Sequence, residues 1–484
     1  MKKLIILMLV VSSVFVSCCA SCSKDNKSDG GGEKDSVSVN LPKRNIERAM
    51  TMTDAALDNY FSESGMAMSR YYNPFTKTAS SEIGSVWMYT SSIEAVTAIM
   101  KTLEIMKDQG DPSLYNEKFD GYSKILSDLY AGAQYYKGSF TLTSYTGTSS
   151  WSAYAVNRAS SPGSADMSGV ANVYDDQEWF IRELLNAYKV TSDSKYLSEA
   201  ENLTAYVMDG WDCTLDALGN ENGGITWGPG YVTKHSCSNG PIVSPLVWLY
   251  EIYKDSPDKV TYGIVNPDNT RGKKTLAKSE YYLQSAEKVY AYQKAHLLRA
   301  DGVYDDMMGG YKTGGGQPEY ETVDGMRYRK NTALYNREGP AITYNTGTML
   351  SGAADLYRAT GNAAYYEDMK SATEASFSIF ATLGETKPGL YTYDITGFRN
   401  WFNDVLMRGY VAVYPYYNNA ASPIDSFQNN LDFAWTNYLR DDMLPPSLLV
   451  GWSMEKSNNN VEAMFTFAFA SEYATLAGYM LEND

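Results

Sequence analysis

One nine-residue pattern occurs twice in the chain of 484 residues. Tyr188-Lys189-Val190-Thr191-Ser192-Asp193-Ser194-Lys195-Tyr196 and Tyr357-Arg358-Ala359-Thr360-Gly361-Asn362-Ala363-Ala364-Tyr365 share Tyr-x-x-Thr-x-(Asp/Asn)-x-x-Tyr. Leu249-Tyr250-Glu251-Ile252-Tyr253 echoes its first half. Each copy reads as the end of one helix, a short turn and the start of the next. Repeated helical hairpins stack into an open solenoid or a closed toroid. Apolar residues at 3.6-residue spacing predict about twelve helices. They span roughly 44–63, 88–109, 113–136, 176–190, 194–209, 239–254, 274–295, 343–359, 362–381, 398–414, 425–439 and 459–481. Strand-like alternation is scarce, so the fold class is all-α, and six hairpins fit an (α/α)6 toroid. Long Gly-, Asn- and Ser-rich loops remain at 137–172, 211–238 and 301–342, and loops of that length usually carry function.

The N-terminus reads as a targeting segment. Met1-Lys2-Lys3 precedes an apolar run from Leu4 to Val16 that is too short to span a membrane. Cys18, Cys19 and Cys22 follow, which resembles a bacterial lipoprotein signal over residues 1–22 and implies a lipid anchor on the outer membrane. Any of the three cysteines can be the lipidated one. Residues 23–42 are polar and Gly-rich, as in a flexible tether, and residues 43–484 read as one domain. The net charge of −16 argues against nucleic acid. With only two histidines, His235 and His296, the sequence argues against a histidine-based triad or a multi-histidine metal site. Neither a metal nor a cofactor is expected, and the domain is expected to act as a monomer.

Chemistry enters with Asp175 and Asp176, adjacent at the start of a predicted helix. Glycoside hydrolysis usually uses two carboxyl groups, and retaining enzymes hold them only ~5–5.5 Å apart. Consecutive Cα atoms are about 3.8 Å apart, so neighbours at a loop–helix junction can meet that distance. A helix N-terminus favours an ionised carboxylate, and a second carboxyl beside it has its pKa raised. One group then stays an anion while the other delivers a proton. The plainer reading is a capping box from Asp175 to Glu178. Asp305-Asp306 and Asp441-Asp442 show that the dipeptide alone is not diagnostic.

The surroundings of the first pair decide between these readings. Four segments occur in order: Tyr174-Asp175-Asp176-Gln177-Glu178-Trp179; Gly223-Gly224-Ile225-Thr226-Trp227 followed by Lys234-His235-Ser236-Cys237-Ser238-Asn239-Gly240; Thr343-Tyr344-Asn345-Thr346-Gly347; and Trp401-Phe402-Asn403-Asp404-Val405-Leu406-Met407-Arg408-Gly409-Tyr410. Together they resemble glycoside hydrolase family 76, the bacterial and fungal α-1,6-mannanases, here with a Bacteroidetes-type lipoprotein leader. The resemblance implies Asp175 as nucleophile and Asp176 as acid/base in a retaining endo-α-1,6-mannosidase. It also implies sugar contacts from Tyr174, Gln177, Trp179, Trp227, Lys234, Asn239, Tyr344 and Asn345. Val303-Tyr304-Asp305-Asp306 echoes the catalytic run, so Asp305 and Asp306 join the expected contacts with α-mannan or manno-oligosaccharides. Thr226, Thr346, His235, Cys237 and Asn403 depart from the family's common residues and place the expected difference in subsite preference. Two alternatives stand beside this reading: a non-catalytic glycan-binding lipoprotein of the starch-utilisation type, and an unsaturated glucuronyl hydrolase on a similar toroid.

Overall fold

A computed structural model describes residues 40–62, 65–168, 173–310 and 316–483. The expected signal peptide 1–22, its three cysteines and most of the expected tether lie outside these residues. The folded body begins at Asn40, whose side chain caps the first helix by accepting from the Lys43 amide at 3.0 Å. That start falls inside the expected tether, because Pro42 opens the first turn of a helix instead of ending a linker.

Twelve α-helices alternate between an outer and an inner position among the described residues. In chain order they are α1 (Leu41–Tyr60) and α2 (Val86–Asp108), α3 (Ser113–Ala133) and α4 (Tyr174–Thr191), and α5 (Ser194–Asp209) and α6 (Gly240–Tyr253). They continue with α7 (Lys278–Leu297) and α8 (Thr343–Thr360), α9 (Ala363–Phe380) and α10 (Arg399–Val413), and α11 (Ala421–Tyr438) and α12 (Ala463–Asn483). The even-numbered helices pack in sequence from α2 to α12, and α12 returns to α2. That contact closes an inner ring. The odd-numbered helices lie outside it, α3 to α11 each against the inner helix before it and α1 against α12, so the architecture is an (α/α)6 toroid. Burial follows the layers: fourteen consecutive residues of α8, Thr343 to Leu356, are buried, whereas outer α9 buries only Met369, Ala372, Thr373 and Ser376.

The repeated pattern now has a physical account. Ser192 and Gly361 end their helices at φ of 57° and 68°, and their amides donate to the carbonyls of Tyr188 and Tyr357. Thr191 and Thr360 hydroxyls accept from the amides of Asp193 and Asn362, both at 3.2 Å. Asp193 and Asn362 then cap the next helix by accepting from Lys195 and Ala364 amides at 3.0 Å. Tyr250 and Tyr253 have no such turn after them. A β-hairpin, Lys259–Val265 with Arg271–Ala277, fills that connection and delays α7 to Lys278, past the expected start at 274. The expected loops at 137–172 and 301–342 likewise contain hairpins, Lys137–Thr143 with Thr148–Tyr154 and Tyr320–Val323 with Met326–Arg329. All sheets among the described residues have two or three strands, so the all-α class holds.

Inside the ring, α8 and α10 approach backbone to backbone. A Cβ added at Gly409 would lie 2.7 Å from the Gly347 carbonyl oxygen, and one at Gly347 would lie 2.6 Å from that of Val405. Elsewhere in a helix, replacing Gly with Ala adds about 0.5–1 kcal/mol of stability. Here the sign reverses: Gly409→Ala is expected to cost ~1–3 kcal/mol through overpacking. Urea unfolding checks this, and a raised midpoint would contradict the close approach.

Candidate active site

A cavity of about 670 Å³ opens where the inner helices begin. Trp87 of α2, Asp175, Asp176 and Trp179 of α4, Tyr344 of α8 and Arg399 and Phe402 of α10 line it. His235 and Cys237, just ahead of α6, complete that side. The first turns of several inner helices thus converge on one chamber, where their unpaired amides favour negative charge.

The pair sits one step further into α4 than expected. Val173 is the N-cap, with φ −101° and ψ 150°, and the helix runs from Tyr174. Asp175 and Asp176 therefore occupy the first turn, and the expected capping box from Asp175 to Glu178 does not form. Asp175 instead accepts from the Asp176 amide at 3.0 Å and from the Trp227 indole Nε1 at 3.1 Å. The Tyr174 amide donates to the Trp227 carbonyl at 2.9 Å, so one tryptophan fixes both the start of α4 and the carboxylate on it.

Their environments differ. Burial pushes Asp175 up to about 6, opposed by hydrogen bonds from Cys237, Trp227 and the Asp176 amide. Asp176 is 8% exposed. Burial and the neighbouring Asp175 charge push it well above the ordinary carboxylate range, with no donor opposing. Asp175 is the member held as an anion and Asp176 the member held as an acid. Asp306 faces the same chamber, pushed up to about 6 by burial and by Asp175 and Asp305, with Arg399 acting against them.

Six of the twelve residues expected from the sequence line the cavity: Asp175, Asp176, Trp179, Trp227, Asp306 and Tyr344. The other six do not line it, and each makes polar or packing contacts within the protein, though the buried Asn345 Oδ1 has no hydrogen-bond partner. Gln177 accepts from the Tyr154 amide at 2.8 Å and donates to its carbonyl at 2.7 Å, which ties the 137–154 hairpin to α4. Tyr174 is 1% exposed and packs on Tyr206. Lys234 pairs with Asp212 at 2.9 Å and donates to the Gly223 carbonyl. Asn239 holds the N-cap position of α6 without a side-chain cap bond; its side chain accepts from the Ile225 amide and donates to the Ile225 and His235 carbonyls. Asn345 donates to the Asp305 carbonyl at 3.2 Å, and Asp305 itself is clamped by Arg337 at 2.6 Å and Arg299 at 3.3 Å. These six therefore stand outside the cavity lining and support its wall.

The Gly223–Gly224 turn shows why that support matters. Both glycines have positive φ, 74° and 79°, and a Cβ at Gly224 would lie 2.4 Å from the Tyr292 ring. The loop passes that close to α7 and returns with Trp227 over α4. Trp227 stacks on His235, with centroids 5.0 Å apart and planes at 18°, and packs on Tyr231 at 4.6 Å. Opposite, Trp87 meets Phe398 at 4.7 Å and Phe402 at 6.1 Å. Flat rings with polar tips on two walls suit the apolar faces of sugars. The sequence offered a signal for part of this: Phe402 lies in the fourth segment, and His235 and Cys237 in the second. Trp87, Tyr231, Phe398 and Arg399 carried none.

The geometry has counterparts among known proteins. A family 76 glycoside hydrolase (mannosidase) of Bacteroides thetaiotaomicron VPI-5482 is 20% identical, with 91% of this chain and 100% of that one covered and a TM-score of 0.65. An inactive variant of the α-1,6-mannanase of Salegentibacter sp. HEL1_6, in complex with α-1,6-mannotriose, is 18% identical over 90% of this chain and 99% of that one, at a TM-score of 0.58. An unsaturated glucuronyl hydrolase specific for heparin shares the fold at 13% identity, over 92% and 98%, with a TM-score of 0.51. No curated protein sequence matches significantly. At these identities the structures speak for the toroid alone. Sequence goes further, because the description Glycosyl hydrolase family 76 matches residues 164–258 and 274–443, which include the aspartate pair and both aromatic walls except Trp87. By that match the chain belongs to glycosyl hydrolase family 76.

Proposed function

We propose that this glycoside hydrolase is a retaining endo-α-1,6-mannosidase acting on the α-1,6-linked backbone of α-mannan. The observation that carries the reading is the asymmetric pair on the first turn of α4: the Asp176 amide and the Trp227 indole donate to Asp175, and burial beside Asp175 pushes Asp176 well above the ordinary carboxylate range. The family match and the α-1,6-mannanase among its structural neighbours support the linkage. In the first step the Asp175 carboxylate attacks the anomeric carbon, the glycosidic bond breaks, and Asp176 gives its proton to the departing oxygen. In the second, Asp176 takes a proton from water, the water oxygen bonds to the anomeric carbon, and Asp175 leaves. One water is consumed and both carboxyls return to their starting states. The N-terminal reading belongs to the same proposal: a monomer anchored to the bacterial outer membrane, at its surface or periplasmic face, through Cys18, Cys19 or Cys22.

Double displacement requires the two carboxyls to act ~5–5.5 Å apart, too close for a water between carboxyl and sugar, so the product is expected to appear first in the α configuration. Proton NMR of the earliest product from unbranched α-1,6-mannan reads this directly, and an initial β end would overturn the double displacement. Binding without new reducing ends would instead favour the glycan-binding alternative.

The pH profile follows from the same asymmetry. Asp175 is active as an anion and is pushed up to about 6, so kcat/KM should fall as pH drops below that value. Loss of the Asp176 proton sets the alkaline limb. The pair titrates as a unit, so the two limbs belong to the pair and not to single residues.

Substitution separates the two roles. Asp176→Asn should slow mannan cleavage by ~10²–10⁴-fold, the usual contribution of a positioned acid or base. An activated aryl α-mannoside should still glycosylate Asp175, and azide should then release α-mannosyl azide. Asp175→Asn should form no glycosyl-enzyme with any leaving group. Release of α-mannosyl azide by the Asp175 variant alone would exchange the assignments, whereas a β azide from it would mark azide standing in for the nucleophile. Loss of less than tenfold in both would move the site elsewhere.

A further inference from the structure

A second cavity, of about 220 Å³, lies across α10 from the chamber. Arg399 and Phe402 of that helix line the chamber, whereas Asn400 and Asn403 line the second cavity. Phe427 and Asn430 of α11 and Phe469 and Glu472 of α12 complete its floor. All six floor residues are more than nine-tenths buried. The mouth is built from two connections. Thr386, Thr392 and Ile395 come from the one after α9, and Ser447, Leu448 and Val450 from the one after α11, all of them partly or fully exposed. The cavity thus opens between two loops and ends in the wall of the toroid.

Its lining combines fixed rings with unsatisfied polar atoms. Tyr393 stacks on Phe427, with centroids 4.6 Å apart and planes at 28°, and its hydroxyl is tied to Ser426 at 2.7 Å. Asn400 donates to the Pro446 carbonyl at 3.0 Å and Asn403 to the Asp394 carbonyl at 2.9 Å, which holds both loops to α10. Asn430 donates to the Tyr391 carbonyl at 2.8 Å, but its Oδ1 has no protein partner, and neither has Glu472 Oε2. Leaving a buried polar atom unsatisfied costs ~1–3 kcal/mol, and here two border one small cavity. They are complementary. Burial pushes Glu472 up to about 8, with Arg408 opposing and Glu94 adding, so at neutral pH it is an acid able to donate. The Asn430 oxygen can only accept. The lining contains no lysine, arginine, histidine or aspartate.

We propose that this cavity is a second, non-catalytic binding site that takes one neutral polyol ring of monosaccharide size. A hydroxyl both donates and accepts, so neighbouring hydroxyls on one ring satisfy the Asn430 oxygen and the Glu472 carboxyl together. The Tyr393–Phe427 stack suits the apolar face of such a ring. A charged ligand would meet no counter-ion in the lining and would lose its hydration. Size sets the other limit: about 220 Å³, against 670 Å³ for the chamber, admits one ring and excludes a chain. That is also below the ~300–1,000 Å³ of sites for drug-sized ligands. With no pair of carboxyls on one turn, the site holds its ligand and does not cleave it.

A thiol at the mouth reads occupancy directly. Ser447→Cys in the full chain is labelled with iodoacetamide while D-mannose is titrated in, and peptide mass spectrometry follows that position alone. Free cysteine labelled in parallel corrects for the solvent. Labelling should slow along a saturation curve, reaching roughly tenfold when mannose is about ten times its dissociation constant. Cyclohexanol, a ring of like size with a single hydroxyl, should protect far less. Adding Asn430→Ala to Ser447→Cys should abolish protection by mannose; if that double variant does not fold, the comparison of mannose with cyclohexanol decides alone. Unchanged labelling across the titration would leave a hydrated cavity only and overturn the proposal. Equal protection by the two rings would make it an apolar hole and overturn it as well. The readout needs no catalysis, so protein inactive on every α-mannan would sink the mannosidase reading and leave this one standing.

Discussion

Six inner helices that start at the same face impose the rest of this structure. Each brings first-turn amides without helical partners and the positive end of its dipole to one place. Closing α12 onto α2 sets those ends in a ring around a single chamber. A carboxylate on the first turn of α4 then sits where negative charge is favoured. The second carboxyl on the same turn feels the first more than it feels the helix. Position within one turn therefore produces an anion and an acid from two identical side chains.

The layers beneath follow the helical repeat. From Asp175, one turn leads to Trp179 and another to Glu183, all on the inner face of α4. Trp179 donates from its indole to the Tyr344 hydroxyl at 2.6 Å and packs edge-on against Trp401 at 4.6 Å. Arg182 and Arg408 stand 5.6 and 5.4 Å from the Trp179 ring. The aromatic layer thus lies between the chamber and a buried ionic cluster, in which Arg408 meets Glu94 at 3.1 Å and Asp404 at 3.3 Å. Buried ions are costly unless paired. Four carboxyls against few guanidiniums leave some of these acids protonated: Glu183 is pushed up to about 7 and Glu472 up to about 8 by burial and by Glu94. Rotating α4 or α10 would break this cluster and the aromatic layer together, which holds the carboxylate pair in register.

How much of this was legible depended on whether a residue's environment leaves a mark on its neighbours in sequence. Helices did, because burial on one face repeats every 3.6 residues, and all twelve were placed. The hairpins did not. Lys-Gly-Ser-Phe-Thr-Leu-Thr carries too little apolar alternation, and its strand exists because Thr148–Tyr154 pairs with it. In the site, Asp175, Asp176, Trp227 and Tyr344 reach the cavity as their types suggested. Gln177, Asn239 and Asn345 look the same in sequence as hydroxyl-binding amides, yet they bond backbone groups that only the folded chain brings near. Asp305 and Asp306 divide for a similar reason: adjacent residues in an extended loop point opposite ways, one into an arginine clamp and the other into the chamber.

The hairpin at 259–277 ties the family's frame to what is particular in this chain. The family match breaks between residues 258 and 274, within the connection that this hairpin occupies. Its Arg271 donates to the Tyr145 carbonyl at 3.0 Å and to Glu321 at 2.8 Å, and packs over Tyr328 at 4.4 Å. It therefore joins the hairpin of 137–154 to that of 320–329. Arg329, at the end of the latter, donates to the carbonyls of Pro229 and Tyr231. Tyr231 lines the cavity and packs on Trp227, whose indole holds Asp175. A continuous path of contacts runs from an addition outside the toroid to the wall of the catalytic chamber. The toroid and the pair lie within the family frame, while the shape of that wall rests on a segment the family match leaves out.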